Sequence, residues 1–361
     1  MIIVRPVQAG DQPGIEKLIF ESEAPISSLP TDREWLGRRI EQSVQSFRHD
    51  AELKGSERFI FVLYDEEHRE VLGTAGLSTV AGAEVPFYNY RLDEIIHASK
   101  AHGVYNPVQI LSLAHDLSNA TLLSSFTLAN RLKATEYRDL LSRARLLYMH
   151  HCRERFQRRC IVEIQGVAVD HGRYPGTSPF WENVGRHFFD IDFMEADQHV
   201  ATLGKTFIAE LMPATPLYLP LLHEEARAVI GLPHEQAAPN MRFLQSQGFE
   251  LSQYVDIFDA GPVLEAPTER LVKGQQVVAK QVRLSSGGKY ASGGQGAAMG
   301  AAYIGMNGDL TDFRATLMQM TEGLGDVQRI RKQDADALRL AENDTLFYSR
   351  IRPGQAAYEL S

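Results

Sequence analysis

Cysteine is nearly absent from this chain of 361 residues: Cys152 and Cys160 are the only two. That pair is too small for a disulfide framework and wrongly spaced for a zinc site. No stretch approaches the roughly 20 uninterrupted apolar residues that span a bilayer. The opening Met1-Ile-Ile-Val-Arg-Pro6 has no basic segment leading into an apolar core, so no secretory leader is expected. Basic charge is short as well, with 37 Lys and Arg against 46 Asp and Glu and a formal net charge of −9. A phosphate lattice is normally met by a basic surface, so nucleic acid is not an expected partner. Neither a metal-ligand spacing nor a Gly-x-x-x-x-Gly-Lys phosphate loop occurs, and the adjacent His150 and His151 point to different faces of a helix. These absences leave a cytoplasmic globular protein, with no metal, membrane or nucleic-acid role expected. Its hydrophobic content of 44% is ample for a core.

What is present is patterned. Ile2–Val7 is a β-branched run that reads as an opening strand. Asp11 is placed to cap a helix carrying Ile15, Leu18 and Ile19, and Leu36, Ile40, Val44 and Phe47 repeat at helical spacing in a second, from about Asp32. Phe59–Tyr64 and Val71–Val80, separated by the polar Asp65–Arg69, read as a hairpin. Ile110–Ala114, Leu122–Leu128 and Cys160–Val169 read as strands, with a helix over Glu136–Phe156. Phe207–Leu211 and Val255–Phe258 are expected to add strands, and helices are expected near Ser178–Phe188, Leu222–Ile230 and Asn240–Gln247.

After about Pro267 the character changes. Val272–Val282 alternates basic and apolar residues, as an edge strand does, and eight glycines fall between Gly287 and Gly308, which signals tight turning. Tyr303–Met306, Phe313–Met318 and Thr345–Ile351 read as short strands around a helix at Lys332–Ala341. The expected division is a body over residues 1–266 and a Gly-rich, β-rich appendage over 267–361. Around the Glu136 helix gather Arg138, Arg143, Arg145, Arg153, Arg155, Arg158 and Arg159. They read either as a solvated helix face or as a basic collar for an anionic ligand.

Four segments then occur in order: Ser178-Pro-Phe-Trp181, Phe207-Ile-Ala-Glu-Leu-Met-Pro213, Val229-Ile-Gly-Leu-Pro-His234 and Tyr254-Val-Asp-Ile-Phe-Asp-Ala-Gly-Pro262. Together they resemble the arginine N-succinyltransferase family, and the similarity covers nearly the whole chain. The order β–α–α–β–β–β–β–α–β also resembles the core of GNAT acyltransferases, where two strands splay and an acyl-CoA thioester enters the gap. The fold class implied is α+β, a GNAT-like extended mixed sheet flanked by helices, with the β-rich appendage at the C-terminal end. Ala114-His-Asp-Leu-Ser-Asn119, Leu123–Leu128 and the C-terminal extension are most similar to the α subunit of heteromeric arginine/ornithine succinyltransferases. A related β chain, or a second copy of this one, is therefore the expected partner.

The resemblance implies a reaction. Succinyl-CoA, a co-substrate rather than a bound cofactor, would give its succinyl group to the α-amine of L-arginine or L-ornithine, opening arginine breakdown. The amine attacks directly, with no covalent enzyme intermediate. His234 matches the family's proton donor, and imidazole suits protonation of a departing thiolate; its other reading is a loop histidine after Pro233. Phe126 matches the position that binds succinyl-CoA, and otherwise is core.

Helix N-termini favour anions, yet where active family members carry glycines in the run Lys133–Ser142, this chain has Glu136 and Arg138. Glutamate repels a pyrophosphate and neither side chain permits close approach, so Arg138 is the candidate to meet the phosphates of coenzyme A. Asp256 and Asp259 are candidates for the acceptor's guanidinium, or else cap the turn before Gly261. In Tyr88-Asn-Tyr-Arg91 and His97-Ala-Ser-Lys100, which also match the family, Arg91 or Lys100 is a candidate for the succinyl carboxylate, against ordinary surface ion pairs. The missing glycines motivate a second hypothesis, a weakly active or silent chain that stabilises or regulates an active β chain.

Overall fold

The computed structural model describes residues 1–21, 32–48, 55–168, 177–191, 193, 195, 196, 199, 206–285, 301–323 and 325–351. The chain opens with β1 (Ile2–Pro6), α1 (Gln12–Glu21), α2 (Arg33–Phe47), β2 (Arg58–Asp65) and β3 (Glu70–Ser78). A long ribbon, β4 (Asn89–Ser99) and β5 (Val104–Ala114), precedes β6 (Thr121–Leu128), α3 (Glu136–His151) and β7 (Arg159–Glu163). Next come α4 (Arg186–Phe189), α5 (Thr206–Leu211), β8 (Leu217–Tyr218), α6 (Glu224–Val229), α7 (Ala238–Ser246), β9 (Glu250–Asp256) and β10 (Pro262–Pro267). The last part is α8 (Thr268–Gly274), β11 (Val278–Leu284), β12 (Ala301–Met306), β13 (Ala315–Met320), β14 (Val327–Ile330), α9 (Lys332–Leu338) and β15 (Thr345–Arg350).

All the strands join one sheet, in the order β14-β11-β15-β12-β13-β1-β2-β3-β6-β7-β10-β9-β4-β5-β8. Among the described strands, only β6–β7 and β11–β14 run parallel. The alternation of side chains along β2 explains the layering. Ile60 and Val62 face Ile15 and Leu18 of α1 and Leu36 and Ile40 of α2. Phe59, Phe61 and Leu63 face the other way, into the core with Leu140, Leu147 and Tyr148 of α3. Asp32 starts α2 by accepting the Trp35 N–H at 2.8 Å. The expected α+β mixed sheet flanked by helices is what the chain forms.

Several expectations are corrected. Thr206–Leu211 is a helix, not a strand: Ile208 and Met212 are both buried, and the Met212 N–H donates to the Ile208 carbonyl at 2.9 Å. A short apolar run carries both spacings, and here burial at i and i+4 decides. The first residues of the presumed edge strand, 272–274, instead close helix α8, because Leu271 and Val272 are drawn into the core beside α3, and the strand itself starts at Val278. The β4–β5 ribbon, β10 and β14 had no expected counterpart, apart from the end of β5. Strands after residue 267 are present as expected, joined to β1 through β13, and Ile304, Met306 and Phe313 share the main apolar cluster with Phe61 and Tyr148. Most of the glycine-rich run lies outside the described residues. No described helix is long and apolar enough to cross a membrane.

Candidate functional site

The feature that organises the site is the parting of β6 from β7. These neighbours pair only over Thr121↔Cys160, Leu122↔Ile161 and Leu123↔Val162. Beyond Leu123, β6 continues to Leu128 along β3 with a register shift, and Ser125 adopts φ 53°. Thr74 Oγ1 donates to the Ser125 carbonyl at 2.8 Å, which holds the irregularity. β7 turns instead toward β10, where the Ile164 N–H donates to the Pro262 carbonyl at 2.9 Å. From Ser124 onward, the β7-facing edge of β6 pairs with no described strand.

His234 is fastened to the far side of that gap. Its N–H donates to the Gln165 carbonyl at 2.8 Å, and Pro233 bridges Gly166. Phe126 lies on β6 three residues past its last pairing with β7. Gln165, which anchors His234, lies three residues past the last paired residue of β7, so the two strands carry Phe126 and the His234 anchor onward from the parting. The Gln236 N–H donates to His234 Nδ1 at 3.2 Å. In the neutral ring this leaves the proton on Nε2, as a donor. The His234 carbonyl also accepts the Ala237 and Ala238 N–H groups at the start of α7.

Arg138 does not reach outward. Its side chain is buried, and its guanidinium lies over the Phe243 ring of α7, 4.9 Å from the centroid. Arg143 is buried too and donates to Gln275 Oε1 at 2.8 Å and Ser349 Oγ at 2.5 Å, tying α3 to the C-terminal strands. Nor is Arg145 at the surface. For these three the solvated-face reading is overturned: α3 is covered nearly all round. Asp139 in the same turn as Arg138 is fully buried, and neither carboxylate oxygen has a hydrogen-bond partner among the described residues. Burial pushes it up to about 6, against the pull of Arg143 and Arg138.

On the sheet face away from α3, Asn89 Nδ2 donates to Glu163 Oε1 at 2.9 Å. Their strands stand three places apart, roughly 14 Å in a flat sheet, so this bond requires the sheet to curl toward that face. Asp256 lies opposite Asn89 in register and is buried there. One Asp256 oxygen accepts the Phe258 N–H at 2.7 Å. Asp259 is committed to its turn: Oδ2 accepts the Gly166 N–H at 2.7 Å and Oδ1 the Gly261 N–H at 2.8 Å. Glu163 and Asn89 were missed in sequence because nothing local marks residues that meet only through sheet curvature.

Arg91 and Lys100 do not join the gap within this chain. Arg91 Nε donates to both Asp93 oxygens at 2.9 and 3.0 Å, and Nη1 to Asp116 at 2.9 Å, so its charge is met in place. Lys100 is exposed in the turn closing the β4–β5 ribbon. At 3.3 Å per residue that turn is roughly 35 Å along β4 from Asn89.

The family model described as "Arginine N-succinyltransferase beta subunit" matches residues 2–273. A Pseudomonas aeruginosa protein named arginine N-succinyltransferase subunit alpha is 36% identical over 344 residues, covering 95% of this chain and 97% of that one. A Yersinia pestis arginine N-succinyltransferase is 36% identical over 351 residues, covering 96% and 97%. The solved structure of arginine/ornithine succinyltransferase subunit AI from Pseudomonas aeruginosa superposes with a TM-score of 0.84 at 33% identity, covering 97% of this chain and 98% of that one.

Proposed function

Since this chain belongs to the arginine N-succinyltransferase family, we propose that it transfers succinyl from succinyl-CoA to the α-amine of L-arginine, with L-ornithine as a second acceptor. The observation that carries this reading is the β6–β7 parting itself, with Phe126 on β6 beyond it and His234 hydrogen-bonded to Gln165 beyond β7. The thioester lies along the part of β6 that has left β7, where backbone groups near Phe126 orient its carbonyl. The neutral amine attacks that carbon; a C–N bond forms, the C–S bond breaks, the amine loses a proton and the sulfur gains one. His234 supplies that last proton from Nε2. Glu163 and Asp256, on the concave face, receive the acceptor's guanidinium.

The chain acts as an α-type subunit in the cytoplasm, beside a related β chain. A relative named subunit alpha supports this, as does the free-standing part of the β4–β5 ribbon, where Ile96, Val104 and Tyr105 are exposed apolar groups. The test is succinyl-CoA-dependent loss of the arginine α-amine, measured with this chain alone and with its β partner. Absence of transfer in both removes the reading. Activity carried wholly by the partner supports the silent-subunit alternative.

A further inference from the structure

Arg145 is among the largest fully buried side chains of the molecule, 2% exposed in the middle of α3. Its three described hydrogen bonds all go to neutral oxygens: Nη2 to Ser142 Oγ at 2.9 Å, Nε to the Ser142 carbonyl at 3.2 Å and Nη1 to the Gly76 carbonyl at 3.4 Å. No carboxylate forms an ion pair with it among the described residues, and the one ionisable neighbour acting on it is the buried Cys160 thiol. An unpaired buried cation is costly, and folds seldom keep one without an anion.

Its location says which anion. Gly76 stands opposite Ser124 in the β3–β6 register, at the irregularity where β6 leaves β7. The guanidinium also lies over the Phe126 ring, 5.4 Å from the centroid, and Cys160 is on β7 itself. The positive charge therefore sits under the floor of the parting, about 13–14 Å of helix beyond the α3 N-terminus, at 1.5 Å per residue. The arginines that pair elsewhere are accounted for: Arg91 with Asp93 and Asp116, Arg155 with Glu57, Arg159 with Glu265.

We propose that Arg145 is the recognition group for the free carboxylate of the acyl donor, the feature that separates a succinyl thioester from an uncharged one. This rests on the acyl-transfer reading above. A planar guanidinium takes a carboxylate in two parallel N–H···O bonds, so a dicarboxylic acyl group entering along Phe126 would meet a matched partner, whereas a butyryl group of similar length would strand the charge.

The experiment compares succinyl-CoA with butyryl-CoA, and arginine with agmatine, its decarboxylated analogue, in the assembled enzyme. Wild type should prefer succinyl-CoA by about 10- to 100-fold in kcat/KM, the weight of one charge-assisted pair. Arg145→Met should cut that ratio toward unity while agmatine and arginine keep their relative rates; Arg145→Lys should restore part of it. Wild-type calorimetry with the two donors keeps the test valid should Arg145→Met fail to fold. Equal binding and equal turnover of both donors by wild type overturns the proposal. So does a variant that lowers both donors alike, or one that shifts the arginine-to-agmatine ratio, which would assign the charge to the acceptor's carboxylate. Transfer of neither acyl group by wild type would instead remove the acyl-transfer reading.

Discussion

The guanidinium of Arg138 and the ring of Phe243 stack at 4.9 Å, joining the first turn of α3 to α7, the helix that starts just after His234. In the proposed enzyme this contact links the expected pyrophosphate end of the donor site to the proton donor. Arg138→Ala should raise the apparent KM for succinyl-CoA roughly ten- to a hundredfold if the side chain also meets phosphate. If it acts only through the stack, Phe243→Leu should reproduce the effect, with a coupling of about 0.5–2 kcal/mol in the double-mutant cycle. Steady-state kinetics of the three variants, with melting temperatures, separates the two roles.

His234→Ala should lower kcat by about 10²–10⁴-fold while leaving KM for succinyl-CoA within a few fold, as expected for a positioned general acid. His234 has a polar backbone role as well, through Gln165 and α7, which alanine preserves. A variant with wild-type kcat in the assembled enzyme would place the chemistry in the partner chain.

Asp139 gives the fold a pH dependence with a definite sign. Its carboxyl titrates near 6 when folded, above the ordinary 3.8. The native state thus holds a proton that the unfolded chain has released, and stability present below about pH 4 is lost as pH rises through 6. Two pKa units correspond to about 3 kcal/mol. Asp139→Asn should flatten this slope and raise the melting temperature at pH 7.5 relative to wild type. Parallel profiles from pH 4.5 to 8 for the two proteins would count against it.

The turn after β9 packs tightly against the strand end that anchors His234. A Cβ on Gly261 would collide with the Ile164 carbonyl and the Gly166 N–H, and Ala260 beside it has φ 56°. Gly261→Ala should therefore cost about 1–3 kcal/mol of stability and lower kcat as well, because the displaced strand end carries Gln165, the anchor of His234. Full activity with an unchanged melting temperature would sever the turn from the site.

Elements with clear apolar patterning were readable from residue order: α2, the β2–β3 hairpin, β6, β12, β13 and β15 fall within a few residues of where the pattern places them. The β4–β5 ribbon was not, because past Arg91 it pairs with no described strand on the β4 side, and its residues there are largely exposed. The arginines of α3 misled for the opposite reason. Residues 138–149 are all buried, and a helix covered on every side carries charges inward that pattern alone assigns to solvent. His234 and Phe126 were reachable through family likeness; the parting they lie beyond needed the β6–β7 register. Glu163 and Asn89 needed the curl of the sheet.

That ribbon also supplies the last test. Two strands with exposed Ile96, Val104 and Tyr105 are marginal by themselves in water, and apolar groups gathered at a projecting tip favour coverage by another chain. Ile96→Glu combined with Tyr105→Glu should weaken association with the β partner without lowering the melting temperature of this chain by more than a few degrees, since neither side chain touches the core. Light scattering or sedimentation of the mixed chains reads the assembly. If the doubly substituted chain assembles as wild type does, the ribbon is not the interface, and the subunit contact must be sought on another face.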